Sequence, residues 1–496
     1  MLGLAVIVAV LWQFITLGWP LSPDAGVFLW IADVVANGGS AYRDAAEAKF
    51  PFAWLPIRWM VAITGINEWA VRIVDLLFYL LGAFSLYFAG TRLSGRRTGA
   101  FAMLLYTVMQ WGLWFGALGQ PEAWVGALWA AGFALLLTNH QSRFVVAGIV
   151  TALAACVKPY FVVTAMVPLF FVLYERRWKM SLAGFSLGLL ITTGIMVVYL
   201  LATDSLSALI EIVQWARQVY VEREHTVTTR TSEIIRQLAS PPFSMLFPFA
   251  AAAPFLLFDQ KQKAAALSVA AWMLSMLFVV AIQGKFWDYH WLPLFAPASL
   301  ACSVMVTALW RRNGQFMKAG IAVAGVVLAA TSLPGARNTL AFLRGQSATL
   351  DSYQRLLFTN FGDAPLGINS VVEDLKKIDL PAGGVLMIYG YHLGAYPLTG
   401  TRAPTRFANL RYVYDGEGTV VLQRYRRAFM SELEAAKPLY WIYPAARISN
   451  WRLEDFPEAC HFLVTNYEFV ANRGDFSVYR WRRGEDAPTI DPSACR

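Results

Sequence analysis

The sequence predicts a polytopic α-helical membrane protein with about 11 transmembrane helices and a C-terminal α/β extracytoplasmic domain. Of its 496 residues, 57% are hydrophobic and only 15% are charged, and the mean hydropathy is +0.48. Soluble globular domains are much less apolar than this. Apolar runs of roughly 17–25 residues, long enough to cross a bilayer, recur through the first two-thirds of the chain. After about residue 335 the runs shorten, and strands alternate with amphipathic helices.

The apolar runs give the positions of the predicted spans. We place them at 2–19, 71–91, 99–118, 123–138, 144–157, 160–174, 181–203, 243–258, 264–282, 291–310 and 317–334. The pair 144–157 and 160–174 is short, and Lys158-Pro159 divides it. The first run has neither the basic region nor the cleavage site of a signal peptide, so it is interpreted as a true span.

The basic residues predict the orientation. They gather in alternate turns, at Arg92, Arg96, Arg97, Arg143, Arg176, Arg177, Lys179, Lys261, Lys263, Arg311, Arg312 and Lys318. Since cytoplasmic loops are enriched in Lys and Arg, the N-terminus is predicted to be cytoplasmic. The expected organisation is then a transmembrane domain over 1–335 and a periplasmic domain over 336–496. The net charge of +9 is explained largely by this topology, so no nucleic-acid partner is expected.

The four cysteines fit this sidedness. Cys156 and Cys302 fall inside predicted spans, where cysteine packs as a small apolar residue. Cys460 and Cys495 lie in the domain that should face an oxidising compartment. We therefore predict a disulfide between Cys460 and Cys495.

The C-terminal part is predicted to be a small α/β domain. Strands are expected at 384–391, 438–444 and 475–483, with a helix over 420–438. The sequence has no Walker, Rossmann or zinc-ligand spacing. No cofactor is predicted, and no metal site is predicted either, since the fixed cations described below make a metal ion unnecessary.

The first outer loop carries a carboxylate where the first span stops. A helix is expected over 25–37, lying along the outer leaflet, because apolar residues recur there with helical spacing and Gly38-Gly39 follows. Asp24 stands at the start of this helix. Either Ser22 or Asp24 caps it, or Asp24 is a general base for an acceptor hydroxyl. Asp44, Glu47 and Lys49 then return to the same surface.

Further ionisable residues lie in the other outer turns. Glu122 in "GQPEAW" either supports the start of a helix behind Pro121 or belongs to a site. Lys158 either snorkels to the interface or binds an anion. The turn "GKFWDYHWLPLFAP" groups Lys285, Asp288, Tyr289 and His290, a combination that an interfacial aromatic belt does not explain. Arg217 and Arg230 belong to the 204–240 loop, which is either a mobile lid or an ordinary solvated loop.

Together these residues predict a chamber that opens to the outer face. Its acids are Asp24, Asp44 and Glu122, and its cations are Lys49, Lys158, Lys285 and His290. Ionisable groups near hydrocarbon usually face a cavity or a partner. The chamber suits a substrate with an anionic, lipid-linked leaving group and a neutral acceptor hydroxyl.

The motifs "SPDAG", "GGSAYRDAAEAKFP", "GQPEAW" and "GKFWDYHWLPLFAP" resemble those of a family. In order and sidedness they are similar to GT-C superfamily glycosyltransferases of the family 39 or PMT-2-like type, which includes protein O-mannosyltransferases and the lipid A aminoarabinose transferase. The resemblance covers most of the membrane part, and the tail resembles the outer domains of many bacterial members. It implies a GT-C-like fold and transfer of a sugar from a polyprenyl-phosphate carrier, with inversion at the anomeric carbon.

The resemblance also implies roles for particular residues. It makes Asp24 the base, and since Ala25 stands where the family often has a second acid, it moves the supporting role to Glu122 or Asp44. Lys158, Lys285 and His290 would stabilise the departing phosphate, and Lys49, Tyr289, Arg217 and Arg230 would help to bind the donor. The implied acceptor is a cell-envelope glycan, glycolipid or protein, and the implied location is the inner membrane of a Gram-negative bacterium.

Two other classes of function remain open from the sequence. One is an outward-facing transporter or flippase for an anionic lipid, and the other is a non-enzymatic membrane scaffold. Transporters tend to carry internal repeats and ionisable residues near the membrane midplane, whereas the charges here gather at the outer rim. A scaffold would be insensitive to removal of the rim acids.

Overall fold

A computed structural model describes residues 21–113, 119–221, 227–240, 243–312, 365–444 and 451–482, with a few isolated residues near the two ends. The described chain consists of a large helical part and a small C-terminal domain (365–482) that contains a four-stranded sheet. The predicted class, a mostly helical chain with a small C-terminal α/β domain, is confirmed. The predicted spans 317–334 and, for the most part, 2–19 lie outside the described residues.

The helical part runs from residue 23 to residue 312. Its helices are α1 (Pro23–Ala36), α2 (Leu55–Thr64), α3 (Glu68–Ser94), α4 (Arg96–Leu113), α5 (Pro121–Leu136), α6 (Arg143–Ala155), α7 (Met166–Leu173), α8 (Trp178–Ala202), α9 (Leu206–Ala216), α10 (Val227–Leu238), α11 (Phe243–Asp259), α12 (Lys263–Gln283) and α13 (Leu292–Arg312). Short 3₁₀ segments precede three of them, at Pro51–Ala53, Pro159–Ala165 and Asp288–Trp291, and a π-helical turn over Arg217–Val221 extends α9.

Several helices are suited to a bilayer. Among the described residues, four helical segments are long and apolar enough to cross a membrane: Glu68–Ser94, Trp178–Ala202, Lys263–Gln283 and Asp288–Arg311. Five shorter apolar helices accompany them. Because lipid tails offer helices no hydrophobic driving force to associate, small residues let their backbones approach. Gly148 of α6 and Gly188 of α8 do this, since an added Cβ at either position would overlap the backbone of the other helix.

Helix α1 differs from its prediction. A helix lying along the outer leaflet should bury one face only, yet every residue from Ala25 to Ala32 is buried. Its apolar side chains surround the helix on all sides, as is typical of a helix enclosed by protein. The Oγ of Ser22 caps it by accepting a hydrogen bond from Ala25 N at 3.2 Å. Asp24 is therefore not needed as the cap.

The C-terminal domain is built on a mixed sheet. Its helices are α14 (Pro365–Ile378), α15 (Ala395–Thr399), α16 (Arg411–Tyr414), α17 (Val420–Ala436) and α18 (Pro457–Asn466), and its strands are β1 (Leu386–Ile388), β2 (Tyr440–Pro444), β3 (Tyr467–Arg473) and β4 (Phe476–Trp481). The strand order is β1-β2-β4-β3, with β1 and β2 parallel and the other two pairs antiparallel.

The predicted strands and helix correspond to β1, β2, β4 and α17. The sequence does not predict β3, an edge strand that follows α18 without a turn and carries exposed Phe469 and Val470. A disulfide joins Cys460 of α18 to Cys495, with the two Cα atoms 5.9 Å apart. It ties the end of the chain to this domain.

The C-terminal domain packs directly on the helical part. Gly394 lies against Gly26 of α1, so closely that a Cβ added at Gly26 would be 3.0 Å from Gly394 N. Ala46 N donates a hydrogen bond to Arg406 O at 2.8 Å. The rings of Trp215 in α9 and Tyr412 in α16 have centroids 4.5 Å apart. The domain therefore covers α1 and the loop that follows it.

Candidate active site

Asp24 lies where α1, the turn before α5 and the C-terminal domain meet. Its Oδ2 accepts a hydrogen bond from Gln120 Nε2 at 3.0 Å, and its Oδ1 accepts one from Tyr391 Oη at 2.9 Å. The Nζ of Lys49 is 3.9 Å from Oδ2, and the side chains of Asp24 and Lys49 are only 15% and 13% exposed. The carboxylate is thus held at both oxygens in a largely enclosed position.

Lys49 is the cation of this part of the site. Its Nζ lies 4.6 Å from the ring centroid of Phe28 and 5.4 Å from that of Tyr289. The buried Nζ makes no hydrogen bond within the described part of the chain. Its three N–H groups are therefore available to an anion.

Glu47 is a second buried acid beside Lys49. Its Oε1 accepts hydrogen bonds from Ala48 N at 3.0 Å and from Lys49 N at 3.2 Å, and its Oε2 accepts one from Asn409 Nδ2 at 3.3 Å. Asn409 belongs to the C-terminal domain and is 1% exposed. Glu47 thus couples the loop that carries Lys49 to the C-terminal domain.

Glu122 and Lys158 form a buried ion pair. The Oε1 of Glu122 is 2.6 Å from Lys158 Nζ, and the Glu122 side chain is fully enclosed. Lys158 also donates a hydrogen bond to Gln283 Oε1 at the end of α12. Glu122 also lies in the first turn of α5, which begins at Pro121. Its predicted support for the start of this helix is therefore compatible with the ion pair. Lys158 does not snorkel to the surface, because its side chain is only 15% exposed.

Tyr289 and His290 join the two charged pairs. The ring of Tyr289 lies 5.4 Å from Lys49 Nζ and 5.8 Å from Lys158 Nζ. His290 is 3% exposed, and its Nδ1 has no hydrogen-bond partner among the described residues. Lys285 lies beside them, with its Nζ 6.0 Å from the centroid of the Trp287 ring. Arg411 of the C-terminal domain contacts the same ring. Acids and cations therefore meet in one cluster.

Electrostatics keep Asp24 ionised. Burial raises its pKa, but the Lys49 ammonium, the hydrogen bonds from Gln120 and Tyr391 and the charge of Arg411 together lower the pKa below its usual value of 3.8. For Lys49, burial lowers the pKa. The carboxylates of Glu122, Asp24 and Glu47 outweigh burial and raise the pKa of Lys49 above its usual value. Asp24 and Lys49 are therefore a charged pair at neutral pH.

Glu47 is perturbed in the opposite direction. Burial raises its pKa, and although Lys49 and Arg411 lower it, the pKa stays above the usual value of 4.5. The structure thus contains one buried acid that favours the ionised form and one that resists it. Pairs of acids whose environments separate their pKa values are common in catalytic sites.

We expect this difference to appear in the pH dependence of stability. Ionised Asp24 should stabilise the fold above about pH 4, its unfolded pKa, and this contribution should be lost as the pH falls through its lower folded pKa. The variant Asp24→Asn should therefore lose less stability than wild type on acidification. Protonated Glu47 stabilises the fold at low pH, because its pKa is higher in the folded than in the unfolded chain. The variant Glu47→Gln lacks this contribution and should lose more stability than wild type on acidification. Thermal unfolding in detergent between about pH 7 and pH 3 measures both, and identical slopes in the three proteins would contradict the expectation.

Asp75 of α3 positions the turn that carries Gln120 and Glu122. Its Oδ2 accepts a hydrogen bond from Gly119 N at 2.6 Å, and its Oδ1 accepts one from Trp124 Nε1 at 2.8 Å. Gly119 has φ +66°, and a Cβ there would clash with Ala25. The turn is thereby fixed against the start of α1, next to Asp24.

Replacing Asp75 by asparagine should destabilise the protein by about 1–3 kcal/mol. An asparagine has only one side-chain oxygen, so either Gly119 N or Trp124 Nε1 would face an amide NH₂ group and lose its acceptor. Thermal unfolding in detergent is the measurement. Asp259→Asn is the matched control, since Asp259 is an exposed residue at the end of α11 and its replacement should have little effect. Equal shifts in the two variants would show that the Asp75 bonds carry no stability.

The structure also places the three remaining predicted site residues. Asp44 accepts hydrogen bonds from Ser40 N at 2.7 Å and from the Arg43 guanidinium at 2.9 Å, and its side chain is 39% exposed. Arg230 donates to the carbonyls of Ala281 and Ile282, at 3.4 and 3.3 Å. Arg230 thus lies at the end of α12, beside Gly284 and next to Gln283, which bonds Lys158, whereas Asp44 pairs within its own loop, outside the cluster. Arg217 is exposed in the π-helical turn after α9, so it too is not part of the cluster.

Several residues of the cluster were not predicted. Asp75 could have been identified from the sequence, because it is an ionisable residue inside the predicted span 71–91. Gln120 lies within "GQPEAW", the motif that contains Glu122. Tyr391, Asn409 and Arg411 have no local signal, because they come from a domain about 370 residues further along the chain, as the separation of 367 residues between Asp24 and Tyr391 shows. Only the tertiary fold brings them to Asp24.

Residues 49–203 match the model of the dolichyl-phosphate-mannose-protein mannosyltransferase family. The fold resembles ArnT from Cupriavidus metallidurans bound to undecaprenyl phosphate, with a TM-score of 0.63 and 16% identity over 98% of this chain and 99% of that chain. For ArnT in the apo state the TM-score is 0.62, with 16% identity over 96% and 97% of the two chains. The chain therefore shares the fold of these structures, and residues 49–203 carry its sequence similarity to the family. The predicted resemblance is confirmed.

A third solved structure is similar in fold. The oligosaccharyltransferase from Archaeoglobus fulgidus tethered with an acceptor peptide has a TM-score of 0.52 and 12% identity, over 98% of this chain and 74% of that chain. No curated protein sequence matches the chain. The family segment 49–203 contains Lys49, Glu122 and Lys158. The candidate site therefore extends beyond that segment, to Asp24 before it and to Tyr289 and Tyr391 after it.

Proposed function

We propose that the chain is an inverting glycosyltransferase that moves a sugar from a polyprenyl-phosphate carrier to a hydroxyl group of a cell-envelope glycan, lipid or protein. The observation that carries the proposal is the pairing of an enclosed Asp24 carboxyl group with the Lys49 ammonium at 3.9 Å, where Lys49 Nζ has no hydrogen-bond partner among the described residues. A base and an anion-binding group thus lie side by side. The family match and the undecaprenyl phosphate in the structure of ArnT support the same donor class.

The cations suit the leaving group. When the sugar leaves its carrier, negative charge develops on the phosphate oxygen that was bonded to the anomeric carbon. Fixed donors in an enclosed site stabilise such charge strongly, because they need no reorganisation during the reaction. Within the part of the chain that the structure describes, Lys49 Nζ and His290 Nδ1 have no hydrogen-bond partner. Lys158, whose Nζ is 5.8 Å from the centroid of the same Tyr289 ring that Lys49 contacts, adds a second ammonium group.

Asp24 suits the acceptor side. The acceptor oxygen forms a bond to the anomeric carbon while the bond from that carbon to the phosphate oxygen breaks and its electron pair stays on the phosphate. The proton of the attacking hydroxyl passes to Asp24, which acts as general base. Attack from the face opposite the phosphate inverts the anomeric centre. Glu47 and Glu122 stay in supporting positions, each bonded to its own partners.

We place the protein in the inner membrane of a bacterium, with the N-terminus in the cytoplasm and the C-terminal domain in the periplasm. The one-sided distribution of Lys and Arg in the alternate turns and the Cys460–Cys495 disulfide support this orientation. We also propose that transfer requires no metal ion and no other cofactor, because the ammonium groups of Lys49 and Lys158 supply positive charge where the phosphate would bind. A chelator should therefore leave the rate unchanged.

The test is transfer by the purified protein in lipid vesicles. Polyprenyl-phosphate sugars are supplied with acceptor lipid, glycan or peptide, and formation of free polyprenyl phosphate is measured together with the configuration of the new glycosidic bond. Mass spectrometry of envelope glycolipids after gene deletion should show a deficit of one sugar, which identifies both the sugar and the acceptor. Movement of the carrier across the bilayer with the sugar still attached would contradict the proposal and favour a flippase.

A further inference from the structure

We propose that Tyr391 is a positioning residue for Asp24, so that the active site is complete only when the C-terminal domain is docked. The inference rests on the proposed function and deepens it by naming a residue outside the helical part on which the base depends. Tyr391 Oη donates to Asp24 Oδ1 at 2.9 Å, while Gln120 donates to Oδ2 at 3.0 Å. Two donors on two different oxygens fix the plane of the carboxylate.

The docking geometry holds Tyr391 rigidly. Tyr391 follows β1, whose end is tied to β2 by a hydrogen bond from Tyr389 N to Ile442 O at 2.9 Å. Three residues later, Gly394 meets Gly26 of α1 at backbone contact. The ring of Tyr391 is 8% exposed. The hydroxyl therefore reaches Asp24 from a strand end that is fixed to the same helix that carries Asp24.

The contact has a chemical consequence. A hydroxyl that donates to an ionised carboxylate stabilises the charged form, and such charge-assisted bonds are stronger than neutral ones. The other groups that face Asp24 are Lys49, Gln120 and Arg411, together with Glu47, Lys158 and the Tyr289 ring. They all remain when the Tyr391 hydroxyl is removed. Its removal should therefore change Asp24 and leave the rest of the charged cluster in place.

Tyr391→Phe should lower kcat about tenfold and move the acidic limb of the pH profile of kcat/KM up by about one unit, the loss expected for one hydrogen bond to a charged group. Tyr396→Phe is the matched control. Tyr396 is a buried tyrosine of the same domain, and its Oη accepts a hydrogen bond from Ile388 N at 3.0 Å. It should lose comparable stability with no shift of the pH profile.

Gly26→Ala tests the docking with Tyr391 intact. The new methyl group would lie 3.0 Å from Gly394 N, so the two backbones must separate. We expect lower kcat and the same upward shift of the acidic limb. If Tyr391→Phe and Tyr396→Phe behave alike, or if neither Tyr391→Phe nor Gly26→Ala moves the pH profile, the inference is overturned while the proposed function stands.

A double-mutant cycle in stability separates the two proposals. Tyr391→Phe should lower the unfolding temperature in detergent clearly less in the Asp24→Asn background than in wild type, since the charge-assisted bond is then already gone. Additive shifts would overturn the inference without any activity measurement. Coupling between the two positions, combined with no transfer by wild type from any polyprenyl-phosphate sugar, would instead overturn the proposed function and leave the contact as a structural bond only.

Discussion

Replacing Asp24 by asparagine should lower the rate of sugar transfer by about 10²–10⁴-fold, the usual contribution of a positioned general base. The amide cannot take the proton of the acceptor hydroxyl, so the alcohol must attack while still protonated. The measurement is the initial rate of polyprenyl phosphate release in vesicles at saturating donor. Binding of the donor should change much less than the rate, because Lys49, Lys158 and His290 remain.

The variant should keep its fold, because the neighbours of Asp24 can adapt to an amide. Tyr391 can still donate to the carbonyl oxygen of the new residue. Gln120 can rotate its own amide and accept a hydrogen bond through Oε1, which has no partner in the described part of the structure. Asp33→Asn is the matched control, since Asp33 lies on the same helix and accepts a hydrogen bond from Asn37 at 2.8 Å, away from the cluster. Full transfer by Asp24→Asn would remove Asp24 from the mechanism.

The membrane part could be predicted from the sequence because lipid imposes a simple rule. Spanning segments must be apolar and helical, so ionisable residues near them stand out. Asp24, Lys49, Glu122, Lys158 and His290 were found in this way. The same rule applied inside the spans would have identified Asp75 too, although not which turn it fixes.

The remainder of the site depends on long-range packing. Whether α1 lies on lipid or under protein is decided by the C-terminal domain, which no pattern within residues 25–37 reveals. Tyr391 follows a three-residue strand, a context in which a buried aromatic residue normally indicates a core. Asp44 and Glu47 are two acids in one short loop, and only the docking of Asn409 beside Glu47 distinguishes the buried acid from the exposed one. Local sequence carries no record of such partners.

Replacing Lys158 by methionine should destabilise the protein by about 3–5 kcal/mol, the cost of leaving one member of a buried ion pair without its counter-charge. Glu122 has no exposed surface at all, so water cannot compensate for the lost ammonium group. Gln283 also loses the donor to its Oε1. The measurement is thermal and denaturant-induced unfolding in detergent. Arg236→Met is a suitable control, since it breaks an exposed pair with Glu233 and should change stability little.

Combining Lys158→Met with Glu122→Gln separates stability from function. The double variant has no uncompensated buried charge, and replacing both members of a buried pair by neutral groups is often nearly neutral for stability. We therefore expect most of the lost stability to return, while transfer stays at least tenfold slower because an ammonium group that stabilises the leaving phosphate is missing. Recovery of both stability and transfer would mean that Lys158 serves only to neutralise Glu122. The positive charge at the phosphate would then have to come from Lys49 and its neighbours alone.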